Sequence, residues 1–142
     1  MSLWVLISVI LAPSSVFALE IQGRLNGSII PSGLRSITAE ERIPILALIY
    51  GVDEDLAWAI IHCESSWRPR ALNLNKNLTV DHSYWQVNTV WIEKMSIIGF
   101  DVTNPDQNLE AGFWILSKYG VGPWSASKKC WQRKTLSRQG TG

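Results

Sequence analysis

Cys63-Glu64-Ser65-Ser66-Trp67 and, farther along, Asp81-His82-Ser83-Tyr84-Trp85-Gln86-Val87-Asn88 decide how this 142-residue chain is read. The first stretch closes an apolar run in which Leu56, Ala57, Ile60, Ile61 and Glu64 fall on nearby faces at helical spacing. A glutamic acid at the end of a buried helix loses bulk water, which penalises its anion and raises its pKa. Such a group can hold a proton near neutral pH and hand it to a leaving oxygen. Asp81 follows a polar run containing Asn73, Asn75, Lys76, Asn77 and Thr79. Two carboxyl groups in unlike surroundings suit glycosidic bond cleavage, where one protonates the departing oxygen and the other steadies positive charge on the sugar ring. Taken singly, Glu64 reads first as a solvent-facing helix end, and Asp81 as a turn aspartate bonding its own backbone.

Outward from these stretches the chain reads as mostly helical. Thr38-Ala39-Glu40-Glu41 has the form of a capping box and predicts a helix to about Tyr50, with Pro44 tolerated only near its first turns and Gly51 ending it. Asp53 predicts the cap of the helix that carries Glu64, and Arg68-Pro69 its end. Ala71 to Val80 predicts turns or a small hairpin. Helices are expected over about Asn88 to Ile98 and Pro105 to Tyr119, the latter acid-first with Asp106 and Glu110, and Gly120-Val121-Gly122-Pro123 breaks the chain again. The expected fold is mainly α, an α+β helical domain with a small β-hairpin insert flanking a cleft.

The two ends bound where the protein works. Met1 to Ala18 has no charged side chain, runs Leu3-Trp4-Val5-Leu6-Ile7, and ends Val16-Phe17-Ala18, which fits a secretory signal (1–18) cleaved after Ala18. An uncleaved anchor is the alternative, at the short limit for spanning hydrocarbon. Either way the remainder is expected outside the cytoplasm, periplasmic or extracellular, as a monomer with no transmembrane span after cleavage. Residues 19–37, punctuated by Gly23, Gly27, Pro31 and Gly33, read as an irregular lead-in, 38–131 as the catalytic domain, and 132–142 as a basic, disordered tail. Lys128, Lys129, Arg133, Lys134 and Arg138 gather toward the C-terminus and offer attraction to an anionic wall polymer or membrane, or read simply as a solvated tail. The net charge of +1 implies no nucleic-acid partner.

Two cysteines in an exported protein most simply make one disulfide, Cys63 to Cys130. A buried thiol pair is the alternative. A metal site using His62 is disfavoured because adjacent His62-Cys63 lacks tetrahedral zinc spacing. No metal and no cofactor is expected.

The run Glu64-Ser65, Trp67, Ala71, Asn73, Asn75, Asp81, Gln86, Asn88 and Trp91 resembles the C-type lysozyme signature of the lysozyme-like superfamily. That resemblance implies Glu64 as general acid, Asp81 as second carboxylate, Gln86 and Asn88 as polar cleft groups, and Trp91 as a sugar-stacking indole. Tyr50-Gly51-Val52-Asp53, Glu64-Ser65 with Pro69 and Ala71, and Asn104-Pro105-Asp106-Gln107-Asn108-Leu109-Glu110-Ala111-Gly112 with Leu116 are similar to soluble lytic transglycosylase (SLT) domains. The resemblance covers roughly Ile43 to Trp131. Two cysteines cannot supply the disulfide framework of C-type lysozymes proper, so the chain groups with the SLT-like enzymes, for which peptidoglycan glycan strands are the implied partner.

Three departures from that family stand out. Ser83 occupies a turn position usually held by glycine, which leaves a positive φ there in question. Ser83-Tyr84-Trp85-Gln86 is bulkier than the usual Gly-Leu-Met-Gln. Gly122-Pro123-Trp124-Ser125-Ala126-Ser127 stands in the region of the usual Ala-Tyr-Asn, whose tyrosine is thought to support the glutamate, with Tyr119 or Trp124 as substitutes. Among eight tryptophans, Trp85, Trp91 and Trp124 are cleft candidates beside Asn73, Asn75, Gln86 and Asn88, because indole faces suit pyranose C–H surfaces and amides suit N-acetyl groups. Trp58, Trp67 and Trp114 lie at helical spacings that mark core.

The expected function is an exported glycosidase cutting the β-1,4 bond between N-acetylmuramic acid and N-acetylglucosamine, a lytic transglycosylase ahead of a hydrolytic lysozyme. The alternative is an inactive glycan-binding protein on the same fold.

Overall fold

The computed structural model describes residues 37–140, so the expected signal segment and most of the lead-in lie outside the described residues. Helix α1 spans Ala39–Tyr50, α2 Glu54–Ser65, α3 Ile92–Ile97, α4 Pro105–Tyr119 and α5 Lys128–Gln139, with strands β1 Leu72–Leu74, β2 Val80–His82 and β3 Val87–Asn88 between α2 and α3. The three strands form one antiparallel sheet in the order β1-β2-β3.

Local chemistry accounts for most of these boundaries. Thr38 closes the capping box with Glu41, and Gly51 ends α1 in the left-handed conformation. Asp53 accepts from the Leu56 amide to start α2. Asn104 accepts from the Asp106 and Gln107 amides to start α4, with Pro105 at its first position. Helix α2 stops at Ser65, before the expected Arg68-Pro69, because Ser66 and Trp67 both take positive φ (51° and 65°) and turn the chain away first. The stretch expected as one helix from Asn88 begins instead as strand β3 and a 3-10 turn over Thr89–Trp91, the Asn88 side chain accepting from the Val90 amide. The polar insert is a three-stranded sheet rather than a hairpin, since Val87 and Asn88 extend it.

The basic C-terminal segment is also reassigned. It was expected to be disordered from residue 132, yet α5 runs to Gln139. The Cys63–Cys130 disulfide fastens its first turn to α2, and Arg138 reaches Asp55 at 2.6 Å while its guanidinium lies 4.6 Å from the Trp58 ring centroid. The sequence pattern of α5 is weakly amphipathic, so packing against α2 holds the helix where its own periodicity does not.

The core is built from Ile43, Leu46, Ile60, Ile61, Trp85, Leu109, Phe113, Ile115, Trp124 and Trp131, all buried. Trp58, Trp67 and Trp114, expected in the core, are partly buried against it. Three indoles link the layers in series. Trp85 Nε1 donates to the Leu109 carbonyl at 2.9 Å, Trp124 Nε1 to the Trp85 carbonyl at 2.8 Å, and Trp131 Nε1 to the Trp124 carbonyl at 3.0 Å. Each buried donor is thereby satisfied, and α4, the turn after β2, the segment before α5 and α5 itself are tied together. Asn108 makes a second hub: it accepts from the Trp85 amide and donates to the carbonyls of His82 and Val102. No described helix is long and apolar enough to cross a membrane.

Candidate active site

A cleft of about 730 Å³ lies between the sheet and the helices, and its walls include Glu64, Asn75, Lys76, Asp81, Gln86, Asn88, Trp91 and Trp124. The sequence therefore brings the expected acid, its second carboxylate and most of the expected polar groups to one surface.

Strand alternation explains the acidic side of the cleft. Asp81 is the middle residue of β2, and its backbone partners are Asn73 on β1 and Asn88 on β3, so the three side chains share one face, with Asn75 two residues beyond Asn73 on that same face. The Asn-x-Asn spacing thus converges on the carboxylate. Asn73 and Asn75 donate to Oδ2 at 3.1 and 2.9 Å, and Asn88 donates to Oδ1 at 2.6 Å. Both oxygens of Asp81 are held, and the sheet geometry fixes their direction.

Glu64 meets the cleft from the last turn of α2 and is half-buried. Burial is the largest influence on its carboxyl and pushes its pKa above the ordinary range; the Ser127 hydroxyl pulls it down, and the charge of Asp81 pushes it up again. Ser127 Oγ donates to Glu64 Oε1 at 2.5 Å. A carboxyl with one oxygen tied to a hydroxyl keeps its other oxygen for the acid proton.

Ser127 is the residue that sequence reading missed. Tyr119 and Trp124 are the expected stand-ins for the family's tyrosine, but their polar groups bond elsewhere: the Tyr119 hydroxyl accepts from Lys94, and the Trp124 indole N–H donates to the Trp85 carbonyl. A serine carries no distinctive pattern, and only its place immediately before α5, three residues from Cys130, offered a signal.

The other candidates divide by side-chain direction. Gln86 lines the cleft, but its amide nitrogen is spent on the carbonyls of Ala71 and Ser83 at 3.2 and 2.8 Å, so it braces the turn after β2. Trp91 stands at the cleft wall, and Trp124 forms buried floor. Asn73 binds Asp81 without itself lining the cleft. Trp85 is corrected outright: it is fully buried, outside the cleft, 4.9 Å centroid to centroid from Trp124 and edge-on to Phe113 at 5.2 Å. Gly112 on α4 leaves the room its indole fills.

Ser83 resolves the question raised by its missing glycine. Its φ is +61°, so the left-handed turn is kept, and its hydroxyl donates to the Pro69 carbonyl at 2.7 Å while its amide donates to the Ala71 carbonyl at 2.8 Å. Cys63 and Cys130 are joined. Among the described residues no cluster of His, Cys, Asp and Glu is arranged to hold a metal.

No curated protein and no solved structure gives a significant match to the chain. The family model of the transglycosylase SLT domain matches residues 43–121, more than half of the chain, and spans the elements from α1 to the end of α4 that carry Glu64 and Asp81. The α-rich architecture with its small sheet is the lysozyme-like fold that this match implies, and the chain belongs to the SLT transglycosylase domain family.

Proposed function

We propose that this chain is an exported lytic transglycosylase that cleaves the β-1,4 bond between N-acetylmuramic acid and N-acetylglucosamine in peptidoglycan, with Glu64 as its acid and base. The observation that carries the reading is the half-buried Glu64, bonded to Ser127, on the wall of a cleft whose other carboxylate is held by three amides. Glu64 gives its proton to the bridging oxygen as the C1–O bond breaks. Asp81 faces the same cleft and offsets the positive charge that grows on the ring. The Glu64 carboxylate then takes the proton of the muramic acid 6-hydroxyl, and that oxygen bonds to C1 to close a 1,6-anhydro sugar. Asn75 and Asn88 present polar groups, and Trp91 and Trp124 apolar ring surface, to the glycan.

A hydrolytic reading has one observation in its favour, the second carboxylate itself. Water would then replace the 6-hydroxyl as the group that Glu64 deprotonates. Export is supported by the N-terminal segment and by the Cys63–Cys130 bridge, a bond kept in oxidising compartments. The enzyme is taken to act as a monomer.

The test is lysis of purified cell walls followed by turbidity, with the soluble muropeptides weighed by mass spectrometry. Products one water lighter than hydrolysed muropeptides are expected, and Glu64→Gln should abolish their release. Products of full hydrolysed mass identify the hydrolase, while absence of lysis by the wild-type protein would sink both enzymatic readings in favour of a glycan-binding one.

A further inference from the structure

We infer that Lys94, held between Tyr119 and Trp91 of the cleft wall, is a carboxylate-reading subsite beside the cleft that selects acid-bearing glycan over neutral glycan. The inference rests on the reading of the cleft as a glycan site.

The cluster is built rather than incidental. Trp91, which lines the cleft, lies edge to face against Tyr119 with centroids 5.0 Å apart, and Tyr119 packs in turn against Trp114 at 6.0 Å. Lys94 follows Trp91 by one turn, within the short helix α3. Its ammonium sits 5.5 Å from the Trp91 centroid and 4.4 Å from the Tyr119 centroid, and it donates to the Tyr119 hydroxyl. Two ring faces and a phenol thus restrain a side chain that elsewhere gives up considerable rotamer freedom when it binds.

The charge so restrained has no ion-pair partner among the described residues, whereas Arg42 and Arg138 are paired with Asp106 and Asp55. An ammonium has three donors, and the phenol takes one. What remains is a fixed cation with free N–H groups beside an indole suited to a sugar ring, which fits a ligand that offers an apolar ring face with a carboxylate on a short arm. Muramic acid units offer this twice, as the lactyl carboxylate of a bare glycan or as carboxylates of an attached stem peptide. Lys76 also lines the cleft and, like Lys94, is exposed, but no described ring holds its ammonium.

Calorimetric titration of the Glu64→Gln protein with three oligomers of equal sugar length tests this: a neutral N-acetylglucosamine oligomer, a bare muramic-acid-containing oligomer, and its peptide-substituted form. The acid-bearing oligomers should bind roughly three- to tenfold more tightly than the neutral one at low salt, and the preference should shrink as salt rises. Lys94→Met, which keeps the apolar stem over the rings, should erase that preference while leaving the neutral oligomer's affinity in place, and Lys76→Met should not. Preference for the bare oligomer assigns the lactyl carboxylate; preference only for the substituted one assigns the peptide. An unchanged preference in Lys94→Met overturns this inference and leaves the glycan reading standing. Failure of every oligomer to bind the parent protein overturns both.

Discussion

Ser127 donates its hydroxyl hydrogen to Glu64 at 2.5 Å across 63 positions of sequence, so the acid on α2 is steered by a group delivered from the segment before α5. Burial raises the Glu64 pKa most, Ser127 lowers it, and Asp81 raises it. Removing each influence moves the alkaline limb of the kcat/KM profile for wall lysis in a defined direction, since that limb follows the acid of the free enzyme. Ser127→Ala should shift the limb to higher pH and reduce kcat by about tenfold, with Ser127→Thr restoring both. Asp81→Asn should shift it to lower pH. A pH profile that stays in place in Ser127→Ala would show that the serine does not act on the carboxyl.

The same raised pKa has a stability consequence. The folded chain holds the Glu64 proton more tightly than the unfolded chain, so this contribution is fully present below the ordinary carboxyl range and is lost as pH rises through the raised value. Glu64→Gln carries no such loss. Its Tm should exceed the wild-type Tm at about pH 8, and the gap should narrow toward about pH 4. Parallel Tm curves for the two proteins across that window would contradict the assignment.

The Cys63–Cys130 bridge spans 67 positions of sequence, and closing a loop of that length in the unfolded chain is worth about 4 kcal/mol by chain entropy. Reduction, or Cys63→Ser with Cys130→Ser, should lower the urea midpoint accordingly. Lytic activity should fall at denaturant concentrations below those that collapse the core signals, because α5 and the Ser127 segment are released first. Coincident loss of activity and core structure would argue against that order.

Gly112 is fixed by an indole. A Cβ at this position would stand 2.1 Å from Trp85 Cγ, and Trp85 is fully buried among Phe113, Trp124 and the α4 backbone. Gly112→Ala should cost about 3 kcal/mol or more, read from urea unfolding, despite alanine's better helix propensity. A stabilised variant would mean that the indole has somewhere else to go.

Ser83 combines a strained backbone with a compensating bond. Its positive φ disfavours a side chain, and its hydroxyl bond to Pro69 offsets that cost. Ser83→Gly should therefore be nearly neutral, whereas Ser83→Ala keeps the strain, loses the bond and should cost roughly 1–2 kcal/mol. Equal effects of the two substitutions would remove the compensation.

Local signals in the chain announced much of this. Thr38 with Glu41, Asp53 and Gly51 are caps whose chemistry acts within one turn, and each stands where sequence reading put it. Glu64 and Asp81 stood out for a different reason: with Gln86, Asn88 and Trp91 they resemble a known family's signature, whereas either carboxyl alone reads as a helix end or a turn residue. What escaped depended on distant partners. Trp85 looked like a cleft aromatic because nothing near it in sequence reveals that Gly112, on another helix, has cleared a space for it. The order in residues 132–139 comes from α2, through a disulfide and the Asp55–Arg138 pair, and not from the segment's own pattern. Ser127 was invisible because a hydroxyl bond formed by tertiary folding has no local signature.

The indole series that begins at Trp85 and ends at Trp131 gives the protein a built-in check on completeness. Trp131 closes the Trp124 carbonyl, and three residues past Trp124 lies the hydroxyl that holds Glu64. A chain cut short before this region carries both carboxylates and much of the cleft, yet lacks the tether on its acid. Premature termination therefore yields a protein whose Glu64 carboxyl lacks its tether, not a smaller copy of the same site.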